Sequence, residues 1–291
     1  MKALVFGASG QLGRALVRSA PNDVEVRALD RKLCDIAADG AVERAIAEAS
    51  PDIVFNAAAY TAVDRAESEP ELAERMNAHA PGSMARAARD AGARFVHVST
   101  DFVFDGSASH PYAPGDKVAP LNVYGRSKVA GEQAVIAATP QALIVRSAWI
   151  YAPQGGNFMT TMLRLMRQHD RVSVVADQVG TPTSARSLAE ALWALVAANA
   201  SGIHHFTDSG IASWYDFAVA IAEEAKVAGL LERDVTVCPI STAQYPTPAR
   251  RPAYSVLDKA STWELLGGPA PHWRANLRVA LRELGDGDLT Y

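Results

Sequence analysis

The sequence predicts a doubly wound α/β fold: a parallel, Rossmann-type sheet with a smaller C-terminal substrate-binding subdomain. Three observations carry this expectation. Short apolar runs alternate with helical ones through the first half of the chain. The connections between them are brief. Glycines crowd the first strand-to-helix junction. Such alternation implies parallel strands covered on both faces.

The elements follow in order. KALVF (2–6) is a buried strand. Residues 10–21 carry Leu12, Leu16 and Ala20 at helical spacing, with Pro21 as the stop. EVRALD (25–30) is a strand, 39–51 an amphipathic helix closed by Pro51, and DIVFNAAA (52–59) a strand ending in small residues. Residues 70–92 form a long helix, expected to bend near Pro81. RFVHVSTD (94–101) is a strand, 122–138 a helix, and ALIVRSAWIY (142–151) a strand. Further on, 157–170 is a helix with Met159, Met162 and Met166 on a core-facing stripe. RVSVVADQ is a strand, and the helix at 185–200 is expected to pack back on the sheet. From 208 onward Pro239, Pro246, Pro248 and Pro252 mark loops between helices. The expected division is 1–150 for cofactor binding and 151–291 mainly for substrate, with some later elements returning to the sheet.

Composition narrows the class of partner. The 291 residues are 49% hydrophobic with net charge -4, so a large core is available and no basic nucleic-acid face is expected. Cys34 and Cys238 are the two cysteines. They form no CxxC pair and fit a reducing compartment. The N-terminus is too short in apolar residues for a signal peptide, and no run approaches a membrane span. A cytoplasmic protein without nucleic-acid or membrane partners is expected. His204 and His205 point to opposite faces of a strand, and no compact acidic cluster calls for a metal, so none is assigned.

FGASGQLG places Gly7, Gly10 and Gly13 between the first strand and the first helix. Gly7 permits the tight turn, Gly10 lets backbone approach a pyrophosphate, and Gly13 lets helix and strand pack closely. The helix N-terminus then offers free N–H groups to the anion. Asp30 ends the second strand, where a ribose hydroxyl is held. Arg31 beside it suits a 2′-phosphate, so NADPH and NADH both stay open as cofactor.

NVYGRSK sets Tyr124 and Lys128 four residues apart on a helix, hence on one face. A lysine charge beneath a tyrosine is expected to lower a phenol pKa otherwise near ~10. A phenol so tuned protonates a carbonyl oxygen as hydride arrives at its carbon. VSTD (98–101) puts Ser99 and Thr100 at a strand end, with only one of them facing the site.

The GxxGxxG loop followed by YxxxK resembles the extended branch of the short-chain dehydrogenase/reductase superfamily. NAAA (56–59) looks like that branch's fourth-strand motif. Further along, GQLG, NAAAYTAVDRAESEP, STDFVFDG, PLNVYGRSKVAGE, DQVGTPT and YPTPARRP occur in order over almost the whole chain. Together they resemble the dTDP-4-dehydrorhamnose reductase family. The resemblance implies Tyr124, Lys128 and Thr100 as catalytic residues. It implies cofactor contacts from Gly7, Gly10, Gln11, Leu12, Gly13, Asp30, Arg31, Asp35, Ile36, Ala57, Ala58, Ala59, Tyr60, Thr61 and Val98, besides Tyr124 and Lys128. It implies substrate contacts from Thr100, Asp101, Trp149, Arg250 and Arg251, the two arginines being suited to fork onto phosphate or carboxylate. The implied partner is a nucleotide-sugar and the chain a monomer or homodimer. Rival readings are a 4-ketoreductase of another nucleotide-linked deoxysugar and a non-catalytic NADP-binding regulatory subunit.

Overall fold

The structure is a computed structural model that describes residues 1–285. Its elements are, in chain order, β1 (Lys2–Phe6), α1 (Gln11–Arg18), β2 (Glu25–Leu29), α2 (Ala41–Ala49), β3 (Ile53–Asn56), α3 (Val63–Ala66), α4 (Pro70–Glu74), α5 (Ala80–Asp90), β4 (Arg94–Thr100), α6 (Val123–Ala138), β5 (Leu143–Ser147) and β6 (Ile150–Tyr151). There follow α7 (Phe158–Gln168), β7 (Arg171–Val175), β8 (Val179–Gly180), β9 (Thr183–Ser184), α8 (Ala185–Ala197), β10 (Gly202–His205), β11 (Ala212–Ser213), α9 (Trp214–Val227), β12 (Thr236–Ile240), α10 (Ala260–Leu265) and α11 (Trp273–Gly285).

Six parallel strands form the main sheet in the order β10-β5-β4-β3-β1-β2. The chain runs one way from β1 to β2 and the other way from β3 onward. The crevice between the carboxyl ends of β1 and β3 is therefore the switch point where such sheets bind ligands. One face of the sheet packs Val5, Phe55 and Val145 against Leu16 of α1 and Leu188 and Leu192 of α8. The other face packs Leu4, Phe6 and Ile144 against Ile46, Met84 and Val135. Leu16 is fully buried, and truncating such a leucine to alanine costs about 2–5 kcal/mol. A separate core joins α7, α9, α11 and β7, and there Met159, Met162 and Met166 are buried.

Both α8 and β10 belong structurally to the main sheet, although they come after residue 151. Residues 286–291 of the expected second unit lie outside the described residues.

Four expectations change in detail. The 70–92 helix does not bend at Pro81 alone. A π-turn over Arg75–His79 joins α4 to α5 just before the proline. Pro81 has no N–H to give residue 77, and the wider turn accommodates that lost bond. The 142–151 run is not one strand. It breaks after Ser147, because Trp149 adopts a left-handed backbone (φ 48°), and Ile150–Tyr151 pairs with β9 instead. NAAA follows the third strand in chain order, not a fourth. Pro239 lies inside β12 rather than in a loop; that strand pairs on one side only, with β7, where a missing N–H is tolerated.

Candidate active site

A cleft of about 1520 Å³ opens over the carboxyl ends of the sheet. Single small-molecule sites occupy roughly 300–1,000 Å³, so there is room for a dinucleotide and a second ligand together. Gly7, Gly10, Gln11, Leu12, Asp30, Arg31, Asp35, Ile36, Ala57, Ala58, Ala59, Thr61, Val98, Thr100, Asp101, Tyr124, Lys128 and Trp149 all line it.

The glycine loop explains the cleft's floor. Gly7 has φ 79°, and a Cβ there would come within 2.8 Å of the Ala57–Ala58 backbone. A Cβ on Gly13 would lie 2.1 Å from the Gly7 carbonyl oxygen. Gly13 lets α1 start hard against the loop and does not itself line the cleft. Tyr60 also stands off it. The Tyr60 amide donates to Asn77 Oδ1 (2.8 Å) and its hydroxyl to Glu69 (2.5 Å). Asn77 Nδ2 donates in turn to Ser127 Oγ of α6 at 2.9 Å. Tyr60 thus anchors the loop after β3 to the helix that carries Tyr124.

Asp30 accepts the Lys32 and Leu33 amides through Oδ1 and lines the cleft. Arg31 is largely exposed and sits 3.9 Å from Asp35.

The reacting corner lies at the end of β4. Asn122 caps α6 by accepting the Gly125 amide at 2.7 Å, so Tyr124 and Lys128 occupy the first turns of a well-started helix. Tyr124 packs edge-on against Phe102, with its hydroxyl close to Thr100. Burial pushes the phenol up to about 12. This reverses the lowering expected from Lys128. The ammonium is not aimed at the phenol; Lys128 Nζ donates to the Val98 carbonyl at 2.7 Å. Burial takes Lys128 down to about 8, against a smaller opposing pull from Glu132.

Thr100 donates to Asp101 Oδ1 at 3.0 Å. Asp101 is 1% exposed, and burial raises its carboxyl to about 6 although Ser255 and Thr100 hydrogen bonds oppose the rise.

The buried hydroxyls of Ser99 and Ser147 face this cleft with no partner among the described residues. Buried polar groups are nearly always paired, so these two fit a polar ligand in the cleft. With the glycine cradle and the free N–H groups of α1, they make the residues present a fit for a nicotinamide dinucleotide. Sequence reasoning passed over Ser147. It also kept only one of Ser99 and Thr100, yet the strand end brings both to the cleft.

On the far side, Trp149 stacks on Trp214 with ring centroids 3.5 Å apart. Gly180 leaves room for the Trp149 ring, since a Cβ there would lie 2.7 Å from it. Trp214 carried no motif and was missed. Arg251 does not reach the main cleft. It forks onto Asp64 at 2.7 and 3.0 Å and lines a small adjoining recess with Trp149, Trp214 and Ser255. The Arg250 side chain is exposed, while its carbonyl accepts from Asn122 Nδ2 at 2.8 Å. Among the described residues no group of three His, Cys, Asp or Glu is placed to hold a metal. His205 is buried against the Tyr112 carbonyl, and His204 bonds the Ser201 carbonyl.

A Rossmann-type sheet with a glycine cradle and a Tyr–Lys–Thr corner defines the class: short-chain dehydrogenases/reductases. Residues 1–285 match the family model for the RmlD substrate binding domain. A dTDP-4-dehydrorhamnose reductase of Burkholderia thailandensis is 42% identical, over 98% of this chain and 99% of that one. A crystal structure of a Clostridium acetobutylicum dTDP-4-dehydrorhamnose reductase superposes with a TM-score of 0.92 at 42% identity, covering 98% of this chain and 99% of that one. One from Bacillus anthracis, in complex with NADP, gives 0.90 at 36% identity over 97% and 99%. The chain belongs to the dTDP-4-dehydrorhamnose reductase family.

Proposed function

We propose that the protein reduces the C4 keto group of dTDP-4-dehydro-L-rhamnose to give dTDP-L-rhamnose, with NADPH or NADH as reductant. The observation that carries this reading is the meeting of Tyr124, Thr100 and Lys128 at one end of a two-ligand cleft, in a chain whose relatives bear that activity in their names.

A nicotinamide held there would supply the hydride that the sugar C4 takes up. The residues supply the rest. Gly7, Gly10 and the first turn of α1 hold the pyrophosphate, and Asp30 and Arg31 take the adenosine ribose. Ser99, Ser147 and the Ala57–Ala59 loop line the path to the nicotinamide. Tyr124, protonated at neutral pH because burial holds its phenol near 12, gives its proton to the carbonyl oxygen. Lys128 and Thr100 tune and orient the phenol. Asp101 and Trp149 meet the sugar. Arg251, beside the small recess, and Arg250 are assigned to the nucleotide side of the substrate.

The division of labour follows the fold more than the chain. Residues 1–150 with α8 and β10 build the cofactor half, and the rest of 151–285 faces substrate. We assign the protein to the cytoplasm; no described helix is long and apolar enough to cross a membrane. A monomer or homodimer is proposed, to be read by light scattering.

The test is loss of NADPH or NADH absorbance with the keto sugar nucleotide, and NMR of the product. Formation of dTDP-L-rhamnose is expected. A product with inverted C4 would favour the rival deoxysugar ketoreductase, and cofactor binding without turnover the regulatory subunit.

A further inference from the structure

Two buried polar residues behind the catalytic lysine have no part in the reaction as derived above. Asn56 ends β3, and His97 lies in the middle of β4; they are 1% and 0% exposed. Lys128 Nζ sits 3.5 Å from His97 Nε2. On the other side of the ring, His97 Nδ1 is 3.0 Å from Asn56 Nδ2. Asn56 Oδ1 accepts the Ala58 amide at 3.1 Å.

These contacts fix the protons one after another. A backbone N–H can only donate, so the Asn56 atom facing Ala58 is its oxygen, and the amide NH2 faces His97. That NH2 also only donates, so Nδ1 is bare and accepts. A neutral imidazole carries one proton, which must then be on Nε2. Burial and the nearby Lys128 charge hold the His97 pKa well below its ordinary value, so no second proton is kept. The imidazole N–H therefore faces Lys128.

We propose that Asn56 and His97 are a positioning pair that sets the direction and protonation of the Lys128 amine. The Nε2–H edge denies the ammonium a second acceptor inside the core. Among the described residues its one acceptor there is the Val98 carbonyl, and the remaining donors are left for the cleft that Lys128 lines. The same N–H favours the neutral amine, in the direction that burial already drives it. Other charges around Lys128 are accounted for. Glu132, one turn along α6, is held by both guanidinium arms of Arg146 from β5, at 2.7 and 2.9 Å. Tyr124 lies on the same helix and Asp101 just beyond the end of β4.

The proposal rests on Lys128 serving the reduction proposed above. Its test is Asn56→Asp. A carboxylate still accepts the Ala58 amide but now presents an acceptor to Nδ1. The ring proton moves to Nδ1, Nε2 becomes an acceptor for Lys128, and the ammonium gains. The alkaline limb of kcat/KM against pH is expected to move up by about one unit. In a His97→Gln background the same aspartate acts by its charge alone and is expected to move the limb clearly less. Nitrogen-15 NMR of labelled histidine reads the tautomer directly: Nε2–H in the wild type and Nδ1–H in Asn56→Asp. A wild-type Nδ1–H tautomer, or an aspartate shift just as large without His97, overturns the proposal. Wild-type protein that turns over no keto sugar would sink the function instead, and the NMR result would still decide the tautomer on which the pair depends.

Discussion

Thr100 donates its single hydroxyl proton to Asp101, 3.0 Å away, and both side chains are buried at the end of β4. A hydroxyl has one proton to give. While Asp101 is ionised, Thr100 has no second proton to give to Tyr124.

Asp101 consequently weakens the fold that holds it. Its carboxyl binds a proton more tightly in the native state, at about 6, than in the unfolded chain, near 3.8. Between those values the native state carries more protons, so stability falls as pH rises. The full cost is present above about pH 6 and is on the order of 2–3 kcal/mol. Asp101→Asn is expected to melt higher than wild type at pH 7.5, with the gain vanishing toward pH 4, and to lose turnover. Thermal melts at several pH values read this; a pH-independent difference would refute it.

Removing only the Tyr124 hydroxyl isolates proton donation. The ring of Tyr124→Phe can keep its edge contact with Phe102. Turnover is expected to fall by about 10²–10⁴-fold with cofactor affinity retained. Single-turnover kinetics and cofactor titration separate the two, and full turnover in the variant would discard the mechanism.

The Glu132–Arg146 pair bolts α6 to β5, with side chains 4% and 3% exposed. Arg146→Met strands a buried carboxylate and is expected to cost about 3–5 kcal/mol in denaturant unfolding. Adding Glu132→Gln should recover part of that loss, because the uncompensated charge is then gone. Additive losses would show that charge pairing is not what binds the two elements.

Gly180→Ala probes the substrate wall. The new methyl would press within 2.7–2.9 Å of the Trp149 indole, and Trp214 blocks retreat on the other face. KM for the keto sugar nucleotide is expected to rise by about 10-fold to 10²-fold, with cofactor affinity unchanged. An unaltered KM would remove Trp149 from substrate binding.

Much of the site was legible because its signals are local. Gly7 and Gly13 follow from the clearance needed where β1 turns into α1, and Tyr124 and Lys128 from helical spacing. The strands expected at 52–59 and 94–101 followed from apolar runs stopping at small or polar residues, and in the structure they end at Asn56 and Thr100. All of these lie within a few residues of the feature that calls for them.

Other features were decided by packing between distant segments. Trp149 looks like one more residue of a β-run, yet the Trp214 stack and the space above Gly180 hold its ring where β5 has already ended. Arg251 looks like a phosphate fork, but Asp64, far back in the chain, takes that fork. Lys128 was expected to lower the Tyr124 pKa, whereas burial outweighs it and Val98 and His97 settle the direction of the amine. By itself the sequence determined the fold class, the glycine cradle and the Tyr124–Lys128 pairing on one helix face, since backbone periodicity and steric clearance are short-range. Only the tertiary structure decided which buried polar groups meet, and so where the protons sit, because desolvation and hydrogen-bond pairing depend on neighbours brought together from across the chain.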